Sequence, residues 1–294
     1  MSRILSALFC LLLLPSLASA QECFPGPCPS GVTIGGPACG GGICEDLPNV
    51  IGTRRTYYVW FNEFIEHDDF RTGVSGNTDV PWHRFDIGSP LNTSQTFLNN
   101  SHSGGVRVSP GDKDSSSTNF MLNGSDDVTD RHVGEILRAA DGRIIAWEAR
   151  LKGDDVSAGS MWVGLIGYDA TPIDGTPDFT IADGLTCISR LGDVTCYGIR
   201  GSSSKASTVT ITMVDDTWMT LGMRCVVVDI SENNDSGSCD LYVDGVNVET
   251  LTDATNGVIP NATGMEPAWG AHEDAVAGEI IMTVNYFWTA ATRE

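Results

Sequence analysis

The chain has 294 residues, in which 38 acidic side chains stand against 17 lysines and arginines for a formal net charge of −21. Such a balance repels nucleic acid and anionic membrane surfaces and makes both poor candidates as partners. The length suffices for one large β domain or two small ones.

The first twenty residues, MSRILSALFCLLLLPSLASA, combine a basic Arg3, an apolar core from Ile4 to Leu14 and a small-residue end at Ala18-Ser19-Ala20. This is the layout of a secretory signal peptide, with cleavage expected before Gln21. A membrane span needs roughly 20 apolar residues, and neither this segment nor any later stretch supplies them. The mature protein is therefore expected outside the cytoplasm, secreted or periplasmic. Losing Arg3 would take its charge from −21 to −22.

Residues 21–50, QECFPGPCPSGVTIGGPACGGGICEDLPNV, are dense in Gly, Pro and Cys and have almost no hydrophobic periodicity. They hold too little apolar surface for a core, so their order must come from cross-links or from docking on the main domain. Without Cys10 the cysteines form two local groups of four: Cys23, Cys28, Cys39 and Cys44, then Cys187, Cys196, Cys225 and Cys239. An even count in an exported chain reads as a disulfide framework. A zinc site fits the spacing and the loop-rich context less well.

From Thr53 onward the pattern is one of strands. TRRTYYVWFNEF alternates aromatic and β-branched residues; HDDFRTGVSGNTDVP reads as a loop, WHRFDIG as a short strand and SPLNTSQTFLNNSHSGG as a long polar excursion. Further strands are expected at about Gly105–Val108, Asn119–Leu122 and Val133–Arg138. GRIIAWEARLKG has period two, with Ile145, Trp147, Ala149 and Leu151 on one face and Glu148, Arg150 and Lys152 on the other. GDDVSAGS and a more continuously apolar MWVGLIG follow, and the two strands are expected to lie side by side in the middle of an antiparallel sheet with one wet face. An acidic loop, YDATPIDGTPDFTIADG, precedes a tight hairpin, LTCISRLGDVTCYGI. In the last third STVTITMV, TWMTLGMRCVVVDI, CDLYVDG, VNVETL and GEIIMTVNYFWTA alternate around turns such as Asp244-Gly245, a strong hairpin signal. No segment reads as a long amphipathic helix. The fold class is all-β, an antiparallel sandwich or barrel over residues 51–294 behind a short disulfide-rich segment.

The hairpin registers give disulfide pairings. A turn centred on Leu191-Gly192 sets Cys187 opposite Cys196, and one near Glu232-Asn233 sets Cys225 opposite Cys239, with the second bridge facing the core. Cys23 with Cys28 and Cys39 with Cys44 is the choice adopted among three open connectivities.

The run from GRIIAWEARLKGDD to MWVGLIG, then TWMTLGMRCVVV, LYVDGVNVETL and GEIIMTVNYFWTA, resembles the second half of concanavalin A-like lectin and glucanase jelly rolls, including laminin-G-like domains. The resemblance covers roughly Gly134 to Ala290 and rests on strand order and the Tyr-Val-Asp-Gly hairpin. It implies two packed antiparallel sheets and, more loosely, binding of a glycan or surface polymer.

Glucanases of this fold carry acids at alternate positions of one strand, so that two carboxyls flank one bond about 5 to 5.5 Å apart. Here Glu148 is followed by Arg150 and Lys152, which is not that pair. The five histidines read as loop or strand-start residues with no two at ligand spacing. The ligand-binding candidates are Glu148 and Arg150 on the sheet face, with Tyr168 and Trp269 as loop aromatics; Trp82 is a further loop aromatic. Calcium is the one cofactor considered, through Asp169, Asp174, Asp178 and Asp183 in one loop. Five Asn-x-Ser/Thr sequons lie in expected loops. Three functions survive: a secreted, non-catalytic domain binding a glycan or a surface; a structural unit of an extracellular coat, filament or virion; and a carbohydrate-active hydrolase or lyase.

Overall fold

The computed structural model describes residues 57–62, 70–72, 82–87, 94–97, 105–110, 116–122, 137–139, 142–167, 181, 183–200, 203–229, 236–252, 259–260, 264–273 and 280–292. The signal segment, residues 21–50 with their four cysteines, and Tyr168, Asp169, Asp174 and Asp178 lie outside them. The strands, in chain order, are β1 (Tyr57–Asn62), β2 (Phe70–Thr72), β3 (Trp82–Ile87), β4 (Ser94–Phe97), β5 (Val106–Ser109), β6 (Ser117–Leu122), β7 (Ile144–Gly153), β8 (Gly159–Ile166), β9 (Asp183–Arg190), β10 (Asp193–Arg200), β11 (Ser203–Ala206), β12 (Ile211–Thr212), β13 (Met219–Asp229), β14 (Ser236–Val243), β15 (Val246–Thr252), β16 (Glu266–Glu273) and β17 (Met282–Thr292). The first sheet runs β15-β14-β13-β7-β17-β5-β4 with β1 beside β17, and the second runs β11-β10-β9-β8-β16-β6-β3-β2 with β12 beside β10. Two antiparallel sheets packed face to face make the sandwich expected from the strand pattern.

Local chemistry set the hairpins. Leu191 (φ 51°) and Gly192 (φ 89°) join β9 to β10, and Asp244 (φ 49°) and Gly245 (φ 77°) join β14 to β15. Positive φ at both central residues is what a two-residue hairpin needs to match the strand twist. The first turn fixes the β9–β10 register that places Cys187 opposite Cys196, and the β13–β14 ladder places Cys225 opposite Cys239. Both pairs are disulfides, and all four cysteines are buried in the core between the sheets. Two bridges of this kind fit an oxidising compartment.

The core is joined across the sheets by aromatic rings. Trp269 of β16 stacks on Phe120 of β6 at 4.2 Å, and Trp82 of β3 meets Trp269 edge-on at 6.2 Å. On the other sheet Phe287 of β17 contacts Trp82 at 6.3 Å and Trp147 of β7 at 6.0 Å. Each such pair contributes about 0.5–1.5 kcal/mol beyond area burial. At the open edge the Glu249 carboxylate of β15 accepts hydrogen bonds from the Thr208 and Val209 amides and the Thr208 hydroxyl, at 2.8–3.1 Å. It thereby ties the edge of the first sheet to the segment between β11 and β12 of the second. Burial works to raise its pKa, but these bonds and Lys205 outweigh that and hold it below the ordinary value.

Several elements depart from the sequence pattern. β7 and β8 are consecutive but belong to opposite sheets, so they are not neighbours in one sheet. The corner between them is pinned from elsewhere: the Asp154 amide donates to the Ile281 carbonyl at 3.1 Å and its Oδ1 accepts the Ile281 amide at 2.8 Å, while the Val156 amide donates to Asp215 at 2.8 Å. Strands β2 and β4 lie where loop was expected, and β2 runs parallel to β3. Leu137 and Arg138 are turn and coil, not strand. β16, Glu266–Glu273, stands between β8 and β6 although EPAWGAHE carries Pro267 and no β-branched residue. Its eight residues are all buried, so tertiary packing overrides its weak propensity.

Candidate functional site

The outer face of the first sheet gathers the polar and aromatic side chains that the core excludes. On β7 the core residues Ile145, Trp147, Ala149 and Leu151 alternate with Ala146, Glu148, Arg150 and Lys152. In register, Glu148 lies opposite Gly222 of β13 and Trp288 of β17, and Tyr242 of β14 lies opposite Gly222 on the far side. Arg150 lies opposite Thr220 and Tyr286.

Tyr286 and Trp288 reach this face because of a bulge. Val284 opposes Leu151 and faces the core, the register shifts between Val284 and Tyr286, and Tyr286 then opposes Arg150. One extra residue in a strand flips every later side chain. Phe287 accordingly enters the core, while Tyr286 and Trp288 join Ala146, Tyr242 and Ala290 in an apolar group on the outer face.

Glu148 is fully buried among them. Its Oε1 accepts the Tyr286 hydroxyl at 2.7 Å and the Trp288 indole N–H at 3.3 Å, and among the described residues Oε2 has no hydrogen-bond partner. Burial pushes its pKa up from 4.5 to about 7, against the two hydrogen bonds, which lower it. A carboxyl held this way in an apolar setting is close to half-protonated at neutral pH.

Arg150 is partly buried, and its guanidinium carbon sits 5.0 Å from the centre of the Trp218 ring. The Lys152 ammonium lies 5.6 Å from the same ring and bonds Asp216 Oδ1 at 3.0 Å. Arg224 of β13 pairs with Asp240 of β14 at 3.3 Å, and Asp240 also accepts the Thr250 hydroxyl at 2.7 Å. Arg107 of β5 stands 3.6 Å from Asp154.

Glu148 and Arg150 share one face, as the alternation required. Glu148 does not project into the open, however, because the aromatic rings of β17 close over a site that a single strand cannot reveal. Trp269 is no loop aromatic: it is completely buried in β16, stacked on Phe120, and Trp82 is likewise buried in the core. His272 lies inside β16, not at a strand start. Asp183 opens β9 opposite Arg200, while the other three aspartates of the expected calcium loop, with Tyr168, fall outside the described residues. Among the described residues no group of three or more His, Cys, Asp or Glu is placed to hold a metal ion, and no helix is long and apolar enough to cross a membrane. Sequence reading missed Tyr286, Trp288, Tyr242 and Trp218 as members of this face. Only the parity of Tyr242 with Asp240 in CDLYVDG signalled any of them.

No family model matches the chain, and no curated protein is significantly similar to it. Solved structures are similar. A protein of unknown function from Shewanella oneidensis MR-1 aligns at TM-score 0.52 and 14% identity, over 81% of this chain and 87% of its own. The carbohydrate recognition domain of Emp46p in its potassium-bound form gives TM-score 0.47 and 11% identity, over 78% and 98%. A beta-1,3-glucanase from Mycobacterium marinum gives TM-score 0.43 and 15% identity, over 78% and 97%. At these identities the likeness is one of fold, an antiparallel sandwich of two sheets.

Proposed function

We propose that this concanavalin A-like sandwich is a secreted, non-catalytic module that binds a glycan on the outer face of its first sheet. The observation that carries the reading is the Arg150–Trp218 cation–π contact beside the Tyr286–Glu148–Trp288 group. A sugar needs donors and acceptors for its hydroxyls and an aromatic plane for its apolar face, and a guanidinium fixed on an indole offers both at one place. Glu148 does not present itself to the ligand. It holds Tyr286 and Trp288 in place beneath the contact surface.

The acids of this face support binding over turnover. Asp240 lies two strands from Glu148 and two residues along, in line with Arg224 and Ala146, which sets the two roughly 12 Å apart at the usual strand spacing and rise. Glycosidase carboxyls stand about 5 to 5.5 Å or 6.5 to 9.5 Å apart, and Asp240 is engaged by Arg224 and Thr250. Lectin-like and glycosidase structures both occur with this fold, so the test must separate them.

Purified protein is to be applied to a glycan array and, in parallel, incubated with laminarin, agar, carrageenan, alginate and xylan. Retention on a defined glycan without release of oligosaccharide is the expected result. Oligosaccharide release that disappears in Glu148→Gln would make the protein an enzyme. Ordered filaments or shells in electron micrographs, with no retention on any glycan, would make it a structural unit instead.

A further inference from the structure

Four cations occupy or border the outer face of the first sheet, and three are already neutralised among the described residues: Lys152 by Asp216 at 3.0 Å, Arg224 by Asp240 at 3.3 Å and Arg107 by Asp154 at 3.6 Å. Among the described residues Arg150 makes no ion pair, and its contact there is the Trp218 ring at 5.0 Å. In a chain with 38 acidic residues against 17 basic ones, an arginine in mid-sheet without a carboxylate is conspicuous. Its register neighbours explain how it stays so. Thr220 and Tyr286 flank it, and the nearest carboxyl on its own strand, Glu148, is bonded on Oε1 to Tyr286 and Trp288.

A guanidinium with no ion-pair partner among the described residues, its carbon 5.0 Å over an indole, is preorganised for an oxyanion. Its N–H groups form a rigid planar fork that matches a carboxylate through two parallel bonds, and stacking removes much of the rotamer freedom that binding would otherwise have to freeze. The net charge of −21 does not forbid an anionic ligand. At physiological salt, charges beyond about 8 Å are largely screened, so the field at this spot is set by Arg150, the Lys152–Asp216 pair and the partly protonated Glu148, not by the net charge. We propose that Arg150, seated on Trp218, is the receptor for the carboxylate of a uronic acid, so that the glycan bound is an anionic one. This rests on the glycan-binding reading above and names its ligand class.

The test is calorimetric titration of the whole mature protein with oligogalacturonate, with a sulfated carrageenan oligosaccharide and with neutral laminarihexaose. Wild type should bind oligogalacturonate at least tenfold more tightly than either other sugar. Arg150→Gln should lower that affinity tenfold or more, and Arg150→Lys should recover part of it. Lys152→Gln, whose ammonium is committed to Asp216, should change it less than threefold. Melting temperatures within a few degrees of wild type verify that each variant is folded. Laminarihexaose bound as tightly as oligogalacturonate, or an Arg150→Gln variant that binds normally, overturns the uronate proposal and leaves glycan binding standing. Preference for the sulfated sugar overturns the carboxylate assignment. Binding of no sugar at all removes both readings.

Discussion

The outer faces of the two sheets are built differently, although both are largely buried. On the second sheet Met121, Trp162, Ile166, Ile181, Ile188, Ile199 and Ala268 form a continuous apolar group, and the Trp162 indole donates to Asn119 at 3.0 Å. The charged Glu266 and Arg190 stand at strand ends. That face behaves as a second core. On the first sheet the corresponding rows carry a buried carboxyl, three aromatic rings and cations, of which Arg150 is in no ion pair among the described residues. In a jelly roll the alternation of a strand therefore says which residues share a face; it does not say whether the outer face is wet, dry or reserved for a ligand.

The contrast is sharpest in Trp162→Ala. It removes a fully buried ring and orphans Asn119 Oδ1, and should cost about 3–5 kcal/mol, read by urea unfolding. A cost under about 1 kcal/mol would mean that the second face is no core.

Glu148→Gln tests the opposite face through pH. The folded protein holds the Glu148 proton more tightly than the unfolded chain does, with a pKa of about 7 against 4.5. Stability therefore falls as pH rises through that window, and the full penalty, on the order of 3 kcal/mol, is present above pH 7. The glutamine variant should gain about that much over wild type at pH 8 and nothing at pH 4. A gap between the two proteins that does not change with pH would place Glu148 in a wet environment.

Arg150→Ala should cost only about 0.5–1 kcal/mol for the lost cation–π contact, measured as a small drop in melting temperature, while abolishing retention on the glycan. A large loss of stability would make Arg150 a structural residue of the same kind as Trp162. Smallest of all is Arg224→Gln. Its pair with Asp240 is partly exposed, at 17% and 21% for the two side chains, and such pairs contribute about 0.2–1 kcal/mol. Its loss should be screened away at 1 M salt.

What the sequence determined by itself is what lies close along the chain. Leu191-Gly192 and Asp244-Gly245 carry their own turn chemistry; the first sets the β9–β10 register and with it Cys187–Cys196, while Cys225–Cys239 follows from the alternation of the two strands flanking the polar SENNDSGS segment, without any knowledge of the second sheet. Period two in GRIIAWEARLKG put Glu148 and Arg150 together for the same local reason. Tertiary structure decided the rest. β16 has no strand-forming pattern of its own, and only burial between β8 and β6 makes EPAWGAHE a strand. β7 and β8 part into opposite sheets because the corner between them is bonded to Ile281 and Asp215, far along the chain. Most consequentially, the register shift after Val284 turned Tyr286 and Trp288 out of the core and onto Glu148, 138 and 140 residues away. Strict alternation would have buried them beside Val284. Pairing partners so distant leave no trace in a local pattern, since a bulge is defined only by the strand it fails to match.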